Sequence, residues 1–170
     1  MSIIVAVDTD GGFGKDGKIP WHFPEDFKHF KEKTKDSICI MGRKTYEDMF
    51  KMVKARKKDK KKIKEILPGR ECYVVTSNED AKVEGATVVP NIRAAIQQID
   101  EDDKREVFIL GGRRMYIEGL AWANKVYMTI VKGDPYDCDV FFPIETLNRF
   151  TIDKESKETD ELYFITYTKQ

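Results

Sequence analysis

The chain has 170 residues, enough for one domain that buries roughly two-thirds of its unfolded surface. Its 30 basic and 30 acidic side chains cancel to a formal net charge of zero, so the whole molecule has no electrostatic bias toward nucleic acid or a membrane. The hydrophobic share of 41% is ordinary for a globular protein, and three widely spaced cysteines without a C-x-x-C suggest neither a disulfide framework nor a zinc site.

The first seven residues are apolar over the length of one strand only. They carry no basic n-region or cleavage pattern, and no later run approaches a membrane span. A reduced, cytoplasmic protein is the expectation. Ile3 to Val7 is a continuous, mostly β-branched run, which predicts a strand buried on both faces. Asp8 to Lys18 follows, with four glycines: either a flexible surface loop or a lid. Its continuation into Pro20-Trp21 places it over whatever the next helix faces.

That helix is organised by Pro24, well placed as its first residue. Helical spacing puts Phe23, Phe27 and Phe30 on one apolar face with Asp26 at its edge. An ionised Asp there is costly unless something hydrogen-bonds it. No Arg or second acid lies within a turn on that face, so its partner must come from elsewhere in the fold or from a ligand. Asp26 is thus either a first-turn acid favoured by the helix dipole or a pocket-floor carboxylate for a flat, nitrogen-rich heterocycle.

Ser37 to Met41 is a second apolar strand, running into Gly42-Arg43-Lys44-Thr45. A glycine, two cations and a hydroxyl opening a helix suit a phosphate site or a solvated helix start. The helix continues through Tyr46, Met49, Phe50 and Val53 into the lysine-rich stretch 54–64, with apolar spacing again at Ile63, Ile66 and Leu67. One long helix, or two joined, is expected, with solvated middle turns and docked ends; a patch for a polyanion is the alternative. Leu67-Pro68-Gly69-Arg70 is a turn and Cys72 to Ser77 a strand. Thr87 to Val89 is a short strand, and a helix follows around Ile92 to Ile99. Val107 to Leu110 is a buried strand feeding Gly111-Gly112-Arg113-Arg114-Met115-Tyr116, a second candidate for dinucleotide phosphates without the G-x-G-x-x-G pattern. Arg114 faces either a phosphate or solvent. Lys125 to Val131 and Val140 to Pro143 read as strands, and Thr151–Lys157 with Leu162–Thr168 as an antiparallel closing hairpin. The order predicts a single-domain α/β fold: a mostly parallel central sheet, an antiparallel C-terminal hairpin and helices on both faces. Ligands in such sheets bind at the carboxyl ends of the strands; Asp26, Gly42, Thr76-Ser77 and Gly111-Gly112 all follow strand ends.

Ala6, Gly14 to Asp26 with its Pro-Trp-x-x-Pro-x-Asp, Phe30, Thr34, Met-Gly-Arg-Lys-Thr at 41–45, Leu-Pro-Gly-Arg at 67–70, Leu-Gly-Gly at 110–112, Tyr116, Thr129 and Phe-Phe-Pro at 141–143 occur in that order across nearly the whole chain. Together they resemble the dihydrofolate reductase family. The resemblance implies NADPH-dependent reduction of 7,8-dihydrofolate to tetrahydrofolate, with dihydrofolate and NADPH as partners; no metal is expected, and a monomer is expected because no contiguous exposed apolar stripe is left over after the core is assigned. It implies that Asp26 holds the pterin with Thr129 hydrogen-bonded behind it, and that a water near Trp21 delivers the proton. Ile4, Val5, Ala6, Phe27, Phe30, Met49, Leu67 and Leu110 would line the substrate slot, and Arg70 would take the α-carboxylate of the glutamate tail. Ala6, Phe13, Gly14, Ile19, Gly42, Arg43, Lys44, Thr45, Thr76, Ser77, Gly111, Gly112, Arg113, Arg114, Met115 and Tyr116 would meet the cofactor. A cis bond joins the two glycines in that family. Three departures stand out: the lysine-rich insertion around 51–64, which could alter the cleft rim or bind polyglutamylated folate, Arg113 in place of a glycine, and Tyr46 where Trp is usual. A pyrimidine reductase of the same fold and a polyanion-binding module using the lysines are the competing readings.

Overall fold

The computed structural model describes residues 1–58, 61–153 and 156–170. Among them nine strands form one sheet. Its parallel part comprises β1 (Ser2–Val7), β3 (Ile38–Gly42), β4 (Glu71–Val75), β5 (Thr87–Val89), β6 (Val107–Ile109) and β7 (Lys125–Val131), in the spatial order β5-β4-β3-β6-β1-β7. β11 (Leu162–Lys169) adds antiparallel to β7. The helices α1 (Pro24–Lys33), α2 (Arg43–Arg56), α3 (Ile92–Gln98) and α4 (Arg113–Gly119) connect the strands.

Strict alternation along the central strands explains their continuous apolar sequence. Ile3, Val5, Ile38, Ile40, Tyr73 and Ile109 turn to one face, where Ile92 and Ala95 of α3 and Met115 and Tyr116 of α4 cover them. Ile4, Cys39, Met41, Cys72, Val74, Phe108 and Leu110 turn to the other, against Tyr46, Met49, Phe50 and Val53 of α2 and Phe30 of α1. Both faces are dry, so no polar alternation is needed.

The long helix expected through the lysines is not there. α2 ends at Arg56, Lys57 is extended, Asp59 and Lys60 lie outside the described residues, and 61–67 is not helical. Successive lysines at helical spacing repel one another, and other contacts tie the segment down. Ile63 and Ile66 are buried in the core beside α2. The Ile63 N–H donates to the Glu84 carboxylate (3.0 Å), and the Ile66 N–H to the Gly85 carbonyl (3.1 Å). Tyr46 fixes the same region, because its hydroxyl donates to the Glu84 carbonyl (2.9 Å) and accepts from the Glu84 N–H (2.7 Å).

Two further expectations are revised. The glycine-rich loop contains a short strand, β2 (Gly12–Gly14), paired antiparallel with β8 (Val140–Phe141) in a separate ribbon. The closing hairpin is broken: β9 (Phe150–Ile152) and β10 (Lys157–Glu158) pair with different parts of β11, whereas Lys154 and Glu155 of the expected strand lie outside the described residues.

Candidate active site

Pro24 opens α1 behind an extended Phe23, and this start presents Asp26 to the sheet. No residue of α1 is buried. The single apolar face does not hold together: Phe23 packs toward Val131, Leu162 and Phe164, Phe30 joins the core beside α2, and Phe27 is 44% exposed. The helix start thus splits its aromatic residues between two clusters and leaves Phe27 on the surface beside the His22 ring (5.2 Å).

Asp26 is half-buried, and the partner that its position demanded is Thr129 of β7, whose hydroxyl donates to Asp26 Oδ1 at 2.7 Å. Thr129 lies in register with Ala6 on β1, so Asp26, Ala6 and Thr129 meet at one point above adjacent strands. Burial pushes the Asp26 carboxyl above the ordinary carboxylate range, and the Thr129 hydroxyl only partly opposes it. The buried Tyr116 hydroxyl reaches the carbonyls of Ile4 (3.1 Å) and Leu110 (3.0 Å). Burial, and then the negative charge of Asp26, hold that phenol protonated.

Ile4, Phe30, Met49, Leu67 and Leu110 share one hydrophobic cluster beside this point. Val5 does not join them, because alternation turns its side chain to the opposite face; only its main chain can line the slot. Arg70 follows a turn built by Pro68 and Gly69, closed by the Arg70 N–H on the Leu67 carbonyl, with Gly69 at φ +76°. Its guanidinium donates to Thr34 Oγ1 (3.0 Å), the Pro68 carbonyl (2.6 Å) and the Lys31 carbonyl (2.7 Å). These three bonds use one N–H on each nitrogen and leave one on each terminal nitrogen, the fork that a carboxylate accepts.

The strand ends at Gly42 and Gly111 touch, the Gly42 N–H donating to the Gly111 carbonyl (2.8 Å), and the Gly111–Gly112 bond is cis. No side chain caps the start of α2. Its free N–H groups, with Arg43, Lys44 and Thr45 around them, have the chemistry of a phosphate site. Nothing lies within 4 Å of where a Cβ on Gly112 would project, so bare backbone faces the cleft there. The donor set and the bare backbone therefore suit a dinucleotide.

Lys44 reaches across to the loop, where a Cβ on Gly17 would come within 2.5 Å of its Nζ. Thr76 and Ser77 follow β4, with Thr76 tied to the β5 end through the Val89 carbonyl (3.0 Å). The remaining expected cofactor residues divide. Phe13 stands edge-on to the Tyr116 ring (5.4 Å), and Gly14 and Met115 are buried. Ile19 is 65% exposed, Arg113 donates to the Phe141 carbonyl (3.2 Å), and Arg114 pairs with Glu118 on the surface. Trp21 packs against Tyr136 at 5.2 Å. The sequence singles out neither Asp8 nor Tyr136, although the buried Asp8 carboxylate accepts from the Tyr136 N–H (3.0 Å). Asp8 had a signal, since an Asp ahead of glycines at a strand end commonly bonds the N–H two residues on.

A family model described as dihydrofolate reductase matches residues 1–59 and 60–169. A dihydrofolate reductase type 3 from Salmonella typhimurium is 32% identical, covering 100% of this chain and 98% of its own. A type 9 enzyme from Escherichia coli is 36% identical over 78% of this chain and 70% of its own. Among solved structures, dihydrofolate reductase from Enterococcus faecalis complexed with NADP(H) and RAB-propyl superposes with a TM-score of 0.79 at 29% identity, covering 99% of this chain and 95% of that one.

Proposed function

The chain belongs to the dihydrofolate reductase family, and we propose that the cleft between Asp26 and the glycine-bearing strand ends is where it works. Its activity is the NADPH-dependent reduction of 7,8-dihydrofolate to 5,6,7,8-tetrahydrofolate, which supplies one-carbon and thymidylate metabolism.

The observation that carries the site is the Asp26 carboxylate. It is desolvated and fixed through one oxygen by Thr129, and among the described residues no Lys or Arg pairs with it. Its free lone pairs accept the ring N–H and exocyclic amine of the pterin, a pair of parallel bonds that orients the ring. The apolar wall of Ile4, Ala6, Phe30, Met49 and Leu110 receives the ring's faces, with Phe27 and Leu67 at the open side. Arg70 offers its two remaining N–H groups to the tail carboxylate. The α2 start with Arg43, Lys44 and Thr45 holds cofactor phosphates, and Thr76 and Ser77 meet the 2′-phosphate. NADPH, when bound, supplies the hydride.

The substrate ring must also gain a proton. Asp26, as the carboxylate, stabilises the positive charge that develops on the pterin, and burial raises its pKa so that the Asp26–pterin pair keeps the proton the reaction needs to higher pH. Trp21, braced by Tyr136, positions the water that delivers the proton. Activity therefore falls as pH rises through the elevated Asp26 pKa.

Residues 1–170 act as one domain, with 51–64 an insertion at its rim. A reducing cytoplasm suits three free cysteines, and among the described residues no helix is long and apolar enough to cross a membrane. The test follows NADPH absorbance on adding dihydrofolate to the wild type and to Asp26→Asn. A loss of about a hundredfold or more in turnover at neutral pH is expected; undiminished turnover would rule out the role given to Asp26.

A further inference from the structure

Cys39 and Cys72 take no part in the chemistry above. They are paired in register on the adjacent parallel strands β3 and β4, and alternation turns both side chains to the same face. Paired positions on neighbouring strands stand about 4.8 Å apart, inside the span of about 4.4–6.8 Å between Cα atoms that a disulfide bridges. The two thiols meet within hydrogen-bond reach. Contact with Cys72 holds the Cys39 thiol below its ordinary range despite burial, and the Ser37 hydroxyl and the Arg70 charge act the same way. The pair is not sealed in, because an open cavity of about 510 Å³ has Cys72 in its wall beside Arg70 and Lys64.

Both cysteines lead to Arg70. The Cys72 thiol donates to the Arg70 carbonyl (3.7 Å). Cys39 Sγ stands 3.6 Å from the Ser37 hydroxyl, which donates to the Thr34 carbonyl (2.6 Å), and Thr34 Oγ1 accepts from the Arg70 guanidinium (3.0 Å). The Ser37 carbonyl also accepts from the N–H of Glu71, the residue between Arg70 and Cys72 (3.2 Å).

We propose that Cys39 and Cys72 are a redox-modification site, a dithiol that a hydroperoxide converts to a disulfide, loosening the grip of Arg70 on the substrate's tail carboxylate. The effect on substrate rests on the reading that Arg70 holds that carboxylate. A thiolate of the pair attacks the peroxide O–O bond, giving a sulfenic acid and releasing the alcohol, or water from hydrogen peroxide. The other thiol attacks the sulfenyl sulfur, the S–S bond forms and water leaves. The two thiols together lose two electrons and two protons, and the peroxide is reduced. The bond draws the Cβ atoms from the strand spacing of about 4.8 Å to about 3.8 Å, which moves the two strands at the residues that carry the Arg70 contacts. Cys138 is an internal control: burial, and then the Asp8 hydrogen bond and charge, push its thiol up to about 11, and its partner is a carboxylate rather than a second thiol.

The reduced wild type, freed of reductant, is treated with hydrogen peroxide, its remaining thiols are blocked with N-ethylmaleimide, and its tryptic peptides are mapped by mass spectrometry. The expected result is a linked Cys39–Cys72 peptide, with Cys138 recovered as the blocked thiol. By titration, the oxidised protein should bind dihydrofolate about tenfold more weakly, the loss of one charge-assisted hydrogen bond, with NADPH affinity unchanged. Dithiothreitol should restore the reduced value. Cys72→Ala, which cannot form the bond, should bind dihydrofolate equally before and after peroxide. Recovery of Cys39 and Cys72 as thiols would overturn the proposal, as would a linked pair with unchanged dihydrofolate affinity or a loss of affinity on treating Cys72→Ala. If Cys72→Ala does not fold, the peptide map and the dithiothreitol reversal of the wild type decide. A reduced wild type that binds no dihydrofolate would overturn the functional reading instead, while the peptide map still decides whether the disulfide forms.

Discussion

Replacing Thr129 by Val keeps the side-chain shape and removes one hydroxyl. In the structure that hydroxyl donates to Asp26 Oδ1 at 2.7 Å. A hydrogen bond to an ionised group contributes about 1.5–3 kcal/mol. At about 1.36 kcal/mol per unit, its loss should raise the Asp26 pKa by about one to two units. The direction follows because burial already pushes this carboxyl up and Thr129 is what holds it down. The alkaline limb of the turnover profile should move to higher pH by the same interval. Stability responds with the same sign. A carboxyl whose folded pKa exceeds its unfolded one penalises the fold only when ionised, so stability is full below the unfolded pKa and declines as pH rises through the folded pKa. In Thr129→Val that decline should start at the same pH, extend to higher pH and go deeper. NADPH oxidation from acid to alkaline pH measures the first effect, and denaturant midpoints at the two extremes measure the second. An alkaline limb that stays in place, or moves to lower pH, would refute the pairing of Thr129 with Asp26 as the control on protonation.

Asp26→Asn removes the buried charge, so above the Asp26 pKa its denaturation midpoint should exceed that of the wild type even as turnover is lost; a less stable variant there would contradict the desolvation of Asp26. Arg70→Met should raise the dihydrofolate Kd about 10- to 150-fold, the loss of a charge-assisted pair, with little change in NADPH affinity by titration. Ile66→Ala, at a side chain with no exposure, should cost about 2–5 kcal/mol in urea unfolding; a neutral result would mean that the lysine-rich segment is not anchored. Burial against Phe164, then the nearby Lys33 charge, hold the His29 pKa down at about 4, from 6.5. The unfolded chain binds that proton first, so stability should fall as pH drops from 6.5 through about 4, and His29→Leu should lose this step in acid titration.

The parallel core was legible because strands buried on both faces have unbroken apolar runs, and each was followed by a helical period. What failed has a common cause, structure decided by contacts distant in sequence. Gly12 to Gly14 carries no strand pattern and becomes one only because Val140–Phe141 lies beside it. The lysine run was read from the apolar spacing at Ile63 and Ile66, but those side chains answer to Glu84, Gly85 and the α2 core rather than to a helix. At the site, the sequence pointed to a carboxylate needing a partner. The partner itself, 103 residues away on Thr129, came from the family pattern and not from local chemistry. Val5 was assigned to the slot by that pattern, whereas alternation alone would have turned it away.

The most direct measurement is a crystal structure of the protein with NADP+ and folate bound together. The expected result has the Asp26 carboxylate accepting two hydrogen bonds from the pterin, Thr129 still donating behind it, and the dinucleotide phosphates on the α2 start at Gly42–Thr45. A pterin bound away from Asp26, or a dinucleotide on a surface that does not open into the same cleft, would contradict it.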